Sequence, residues 1–157
     1  MKKTGLGTAA LVGAVCLGVV GGLGAYTFDY AEGTSYLSNS PEACVNCHIM
    51  RDVYDGWRKS SHHAVAVCND CHVPQSLLPK LYAKALHGYR HSVAFTTQDF
   101  HEPIRIGADS LAMVEDNCVR CHGGLVNDIL VAPAQAAHGE GTSCTHCHSH
   151  VGHGPRR

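Results

Sequence analysis

Aromatic side chains are scarce, at 6% of 157 residues. A core built in the ordinary way from large side chains is therefore under-supplied, and the apolar area that stabilises a fold must come partly from elsewhere. An excess of either charge is missing too, since 12 Lys and Arg stand against 13 Asp and Glu. That balance excludes a general nucleic-acid binder, which carries a basic surplus. The length argues for one small domain with at most an appendage. What the chain does have is 9 Cys and 13 His.

Charge is absent altogether from Thr4 to Phe28, a stretch rich in Gly, Ala, Val and Leu between Lys2-Lys3 and Asp29. As a helix it would span about 37 Å, against about 30 Å for the hydrocarbon core of a bilayer. A cleaved signal peptide has an apolar region of about 7–15 residues followed by a small-residue cleavage site. This run is longer and lacks a clear cleavage signature. Residues 1–28 are thus expected to form a cytoplasmic tip and an uncleaved transmembrane anchor. Positive charges stay in the cytoplasm, which puts residues 29–157 on the periplasmic side of the inner membrane. Gly18 and Gly22 form a GxxxG, which carries little weight in so glycine-rich a helix. Cys16 reads as a small apolar residue of the span.

Eight of the nine cysteines fall into four copies of one pattern. They are Cys44-Val-Asn-Cys47-His48, Cys68-Asn-Asp-Cys71-His72, Cys118-Val-Arg-Cys121-His122 and Cys144-Thr-His-Cys147-His148. CxxCH is the attachment signature of c-type haem. Two thiols three positions apart on a helical turn can both bond the vinyl groups of one haem, and the next residue offers its imidazole to the iron. The competing readings are zinc sites, redox dithiols and disulfides. A four-cysteine zinc site needs no His after each pair, and a redox dithiol would occur once, on a thioredoxin-like βαβ pattern that is not visible. Four covalently bound haems are expected, whose propionates would make the finished protein more acidic. Residues 29–157 would give each haem roughly 32 residues, too few for separate pockets. The fold expected is mostly α and of low regularity, with short helices and loops wrapped around four packed haems.

The motif histidines leave nine others: His62, His63, His87, His91, His101, His138, His146, His150 and His153. Electron-transfer haems usually hold six-coordinate iron, so some of these should be distal ligands. His62 and His63 before the second motif, and His150 and His153 after the last, are best placed by position. The first motif continues Cys47-His48-Ile49-Met50. On a helix His48 and Met50 would point roughly 200° apart, so only one of them can address a given side of the iron. Alternatively Met50 fills a gap beside the porphyrin; the residues alone leave these readings open.

The stretch from Leu77 to Phe95 has helical periodicity. Leu78, Leu81, Tyr82, Ala85, Leu86, Tyr89 and Val93 share one broad arc. Lys80, Lys84, His87 and His91 recur within roughly 60° of one another on the wheel. Ser76 is positioned to cap the start, and Pro79 is tolerable in the first turn. The stripe reads either as a solvated polar face or as a proton-handling edge facing the membrane, where His accepts protons from a quinol and Lys orients a quinol oxygen. Asp109 or Ser110 is expected to cap a short helix running to Cys118. Gly123-Gly124, Gly139 to Gly141 and Gly152 to Pro155 read as turns or a loose tail.

Taken together, the anchor, the four motifs and the CHxM extension resemble the NapC/NirT family of membrane-bound tetrahaem quinol dehydrogenases. The residues that carry the resemblance are Tyr36 to Met50 (YLSNSPEACVNCHIM), Ser60-Ser61-His62, and Lys84 to Phe95 ending His-Ser-Val-Ala-Phe. It covers nearly the whole chain. The resemblance implies menaquinol oxidation near the first haem at the outer membrane surface. Electrons would then pass to a pentahaem cytochrome c nitrite reductase catalytic subunit that makes ammonium, or, as in hub-like relatives, to another periplasmic reductase. It also implies that Met50 replaces His48 as axial ligand of the first haem and that Lys84 and His91 line the quinol pocket. His62 and His153 match distal ligands of two later haems, and a lysine from the partner would complete the second iron. A family member has Asp at the position of His91, so His91 could itself bind iron. A plain anchored electron carrier without a quinol site is the competing reading from another class.

Overall fold

The computed structural model describes residues 4–126 and 143–154, and every regular element among them is helical. The chain divides into two compact units, Met1–Ser35 and Tyr36–Arg157.

The first unit is helix α1, Thr4–Tyr30. Nothing in the uncharged run interrupts the i to i+4 ladder, and the helix takes in Asp29 and Tyr30 beyond the expected end at Phe28. From Gly7 to Tyr30 it is long and apolar enough to cross a membrane, with no side chain buried against protein. A helix apolar on all sides suits lipid rather than a soluble core. It stops at Glu32, whose left-handed φ of 51° costs a non-glycine residue energy and cannot continue a right-handed helix. A 3-10 turn, Gly33–Leu37, follows. The Phe28 ring lies where a side chain at position 33 would be, so any larger residue there would have to displace that ring.

In the second unit short helices punctuate irregular chain. They are α2 (Glu42–Val45), a 3-10 turn (His48–Met50), α3 (Arg51–Arg58), α4 (Cys68–His72), α5 (Leu77–Thr97), α6 (Ala108–Val126) and α7 (Cys144–Cys147). α5 begins after Ser76 as expected, but the Ser76 side chain makes no capping hydrogen bond. α6 runs 19 residues, longer than the short helix expected, and Asp109 falls in its first turn. It carries Gly123 and Gly124 as helical residues rather than as a turn. An isolated glycine costs a helix only about 1 kcal/mol, and the ladder of a long helix absorbs that. Gly154 does turn the chain, at φ 66°. Gly139 to Gly141, Pro155 and His138 lie outside the described residues.

Among the described residues the buried apolar side chains are Val73 and Ala83, joined by the polar Lys84, Glu115 and Asn117. So small an apolar core cannot offset the conformational entropy of an ordered domain. Polar clamps organise it instead. Asn117 on α6 donates to the carbonyls of Cys71 at 3.0 Å and Val73 at 3.1 Å. Arg120, one turn on, donates to the Asp70 carbonyl at 3.2 Å. These are orphan carbonyls at the C-terminal end of α4, and they need donors from outside the helix. Glu115, on the same helix, holds the start of α7, and α6 thereby grips the second and fourth motifs while carrying the third.

Candidate haem centres

Local backbone explains how each motif presents its thiols. The second lies wholly within α4 and the third within α6; the fourth spans α7, with His148 next in the chain. The Asp70 carboxylate accepts the Val67 N–H at 2.9 Å, fixing the first turn of α4 as N-terminal acidic side chains do. The first motif departs from this pattern. Cys44 belongs to α2, but Cys47 is extended, at φ −84° and ψ 116°. The break throws the following residues out of the helical register: His48 is exposed, while Met50 is half-buried. This is the one motif that continues CHxM, and its backbone turns the thioether inward and the imidazole out.

None of the nine cysteines forms a disulfide. Among the described residues no group of three or more His, Cys, Asp or Glu side chains could hold a metal by itself, so the CxxC units do not assemble a zinc site. The motifs are nonetheless neighbours. The Cys44 and Cys68 thiols hydrogen-bond, which lowers the pKa of Cys44 and raises that of Cys68. Cys118 and Cys144 are likewise in contact.

Imidazoles meet in two pairs across the motifs. His62 faces His122 with ring centroids 6.0 Å apart, and His153 faces His72 at 5.8 Å. An imidazole nitrogen binds such a metal at about 2 Å, with its ring centre about 1 Å behind it, so two rings flanking one iron stand roughly 6 Å apart. The other ring nitrogens agree: His62 Nδ1 lies 3.2 Å from the Val151 carbonyl and His153 Nδ1 3.2 Å from the Val53 carbonyl. A carbonyl takes the Nδ1 proton, which leaves Nε2 as the free lone pair and orients the ring, as metal-ligating histidines require. Burial, together with His153 and His87, pushes the His72 pKa down to about 4, so its ring is neutral, the ligating form. An open cavity of about 360 Å³ beside the fourth motif is lined by Ser60, Ser61, Cys147, His148, His150 and Val151, with Lys59 and Gly154. The residues present therefore fit haem, in apolar need, ligand spacing and tautomer.

The resemblance gave His153 to a later haem and the second motif to a partner lysine; in this structure the chain after α7 folds back so that the His153 ring stands beside that of His72. Gly56 makes that approach possible, because a Cβ there would collide with the His153 carbonyl. His63 packs edge-on against Trp57 at 4.8 Å, while the Trp57 indole donates to the Ala66 carbonyl at 3.0 Å.

α5 turns Lys84 and His87 of its basic stripe inward and leaves His91 exposed. The Lys84 ammonium donates to the Ser38 carbonyl at 2.6 Å, with longer bonds to Asn39 Oδ1 at 3.3 Å and the Leu37 carbonyl at 3.4 Å. Three acceptors use its three N–H bonds, so Lys84 ties α5 to the chain before the first motif. Burial lowers its pKa. His87 and His91 stack with centroids 6.0 Å apart, and both are held below the ordinary imidazole range by desolvation. Tyr36 Oη lies 3.3 Å from His91 Nδ1, and its ring covers Gly88. Sequence reasoning assigned no role to Tyr36, Glu115, Asn117 or Arg120. Tyr36 stood within the stretch that carries the resemblance, but Glu115 and Asn117 precede the third motif and Arg120 is one of its two variable positions, where no spacing rule assigns a role.

Cysteine pairs followed by histidines, borne on a helical frame with paired imidazoles, define a c-type cytochrome. The comparisons agree. The model of the NapC/NirT cytochrome c family, N-terminal region, matches residues 4–156. The cytochrome c-type protein NrfH of Wolinella succinogenes is 38% identical over 144 residues, covering 87% of this chain and 81% of the relative. Cytochrome c nitrite reductase subunit NrfH of Nitratidesulfovibrio vulgaris is 37% identical, covering 78% and 72%. A chain in the crystal structure of the cytochrome c nitrite reductase NrfHA complex bound to the HQNO inhibitor superposes with a TM-score of 0.62 at 30% identity, covering 94% of this chain and 92% of that one. This chain belongs to the NapC/NirT cytochrome c family.

Proposed function

We propose that the protein is an inner-membrane, tetrahaem quinol dehydrogenase that oxidises menaquinol and delivers electrons to a pentahaem cytochrome c nitrite reductase. Residues 1–28 anchor it and residues 29–157 form the periplasmic haem domain. Haem c at each motif would supply a one-electron iron couple. Cys44 and Cys47, Cys68 and Cys71, Cys118 and Cys121, and Cys144 and Cys147 hold the four groups. Met50, His72, His122 and His148 are the proximal ligands, His153 is distal to His72, and His62 is distal to His122. The names of the relatives and of the matched complex support the nitrite reductase partner.

The quinol half of the reading is carried by one observation: Tyr36 and His91 meet beside the first motif, on the α5 face that Lys84 ties to residues 37–39. A hydroquinone gives up two protons with its two electrons. A neutral imidazole is the side chain best able to take a proton near physiological pH, and the Tyr36 hydroxyl orients His91 for it. Lys84 fixes the wall and adds positive potential that favours a developing quinolate.

The test is single-turnover reduction of purified holoprotein by a menaquinol analogue, followed at the haem absorbance. Reduction that HQNO blocks, followed by reoxidation on adding the nitrite reductase with nitrite, is expected. A protein that dithionite reduces but the quinol does not is a plain carrier, and the quinol reading is then wrong.

A further inference from the structure

α5 has two opposite faces, and the structure uses them in the reverse of the usual order. Part of the basic stripe looks inward: Lys84 is buried, His87 is half-buried and the Tyr36 ring lies over Gly88, while His91 is exposed. The apolar arc looks outward. Leu78 is 77% exposed, Tyr82 70%, Tyr89 68% and Leu81 44%. About half a turn of the helical wheel separates the two faces. The first and second motifs lie on the basic side, through the bonds of Lys84 to residues 37–39 and the charge interaction of His87 with His72. Haem at those motifs therefore does not account for the outward arc.

Three features of this helix point to one covering surface. Leucines with two tyrosines are the composition of a membrane interface, where the tyrosine ring sits among headgroups. α5 also carries no carboxylate, and its exposed cation is Arg90, although the chain as a whole is at −1. Arg90 pairs with the well exposed Asp109 of α6 at 3.6 Å. A helix of this charge is drawn to anionic headgroups. Finally, the same chain bears a helix able to cross a bilayer, and tethering keeps a second, weaker membrane contact at high effective concentration.

We propose that α5 is an interfacial membrane helix, with Leu78, Leu81, Tyr82, Ala85 and Tyr89 seated at the boundary of headgroups and acyl chains. This rests on the membrane anchorage proposed above. It adds that the haem domain is not free to swing on its tether: it is held down by a second contact, whose inward face is the wall of the quinol site. A hydroquinone leaving the bilayer then meets Tyr36 and His91 by moving around one helix.

The experiment uses full-length holoprotein in nanodiscs of phosphatidylcholine and phosphatidylglycerol containing a lipid with a diazirine on its acyl chain. After irradiation, adducts are mapped by peptide mass spectrometry. Adducts are expected on α1 and on Leu78, Leu81, Tyr82 and Tyr89, with none on Lys84 or His87. Adducts on α1 alone would overturn the interfacial helix and leave the anchor standing; adducts on neither would remove both. α5 adducts that vanish once the nitrite reductase catalytic subunit is added would give this face to the protein partner and also overturn the proposal. In a second arm, Leu81→Glu with Tyr82→Glu should keep four haems and full dithionite reduction while losing α5 adducts roughly tenfold, since two carboxylates oppose insertion at the interface. Undiminished labelling in that variant counts against the proposal.

Discussion

Glu115 on α6 accepts the backbone N–H of Cys144 at 2.7 Å. The same carboxylate takes the Thr145 N–H at 3.0 Å and the hydroxyls of Ser143 at 2.6 Å and Thr145 at 2.5 Å. One side chain thus caps the helix that carries the fourth attachment site, from three residues before the third.

Glu115→Ala should cost about 1–3 kcal/mol, the loss of a cap and of a buried charge-assisted acceptor. It should also yield a fraction of protein one haem short by intact mass. Glu115→Gln retains an acceptor oxygen and should restore most of the attachment. Burial raises the Glu115 pKa, but the hydrogen bonds from Ser143, Thr145 and Cys144 prevail and bring it from 4.5 to about 2. A folded carboxyl that titrates below its unfolded value stabilises fully above the unfolded pKa. The advantage of the native protein over Glu115→Gln should therefore be constant above about pH 4.5 and shrink as the pH falls towards 2. Acid unfolding curves for the two proteins measure this.

His62→Ala and His153→Ala should each leave four haems attached and turn one haem high-spin, and the double variant should turn two. Electron paramagnetic resonance distinguishes the haems. Two single variants that perturb the same haem would contradict the pairing of His62 with His122 and His153 with His72.

At Gly56 a methyl group would collide with the His153 carbonyl. Gly56→Ala should push His153 from His72 and raise high-spin character at the second haem alone, at a cost of about 1–3 kcal/mol from overpacking. An all-low-spin spectrum identical to the native one would show that the backbone relaxes without moving the ring.

Met50→Ala should alter the spectrum of the first haem and His48→Ala should not. A silent Met50→Ala with an altered His48→Ala reverses the assignment and means that the exposed imidazole swings inward.

Lys84→Leu and His91→Leu should each slow quinol-driven reduction with all four haems in place, His91→Leu by about 100-fold or more if it accepts the proton. Lys84→Leu also strands the Ser38 carbonyl, so it should lower the melting temperature where His91→Leu does not. Full quinol activity in both variants would remove the proposed site.

Much of this architecture was legible in residue spacing because covalent chemistry constrains it locally. A CxxCH unit announces itself within five positions, and 25 uncharged residues from Thr4 to Phe28 can hardly be anything but a long apolar helix. The α5 periodicity gave the helix and its two arcs. It did not give their orientation, since an apolar arc ordinarily faces a core and here the core is too small to receive it. Pairings over long separations were not legible. His62 meets Val151 and His153 meets Val53 through backbone carbonyls, which leave no mark on side-chain pattern. Asn117 was hidden for the same reason, as it grips main chain, and so in part was Glu115, which accepts two backbone N–H groups besides two hydroxyls.

The contact between the Cys44 and Cys68 thiols has a consequence for biogenesis. Before either sulfur is bonded to a vinyl group, the pair is already close and the hydrogen bond from Cys68 lowers the Cys44 pKa to about 7, which raises its share of thiolate, the species that attacks another sulfur. A polypeptide that folded ahead of its prosthetic groups in an oxidising compartment would therefore risk cross-linking its first two motifs to each other. Loading must outpace folding, or a dedicated reductant must keep those sulfurs apart until it is done.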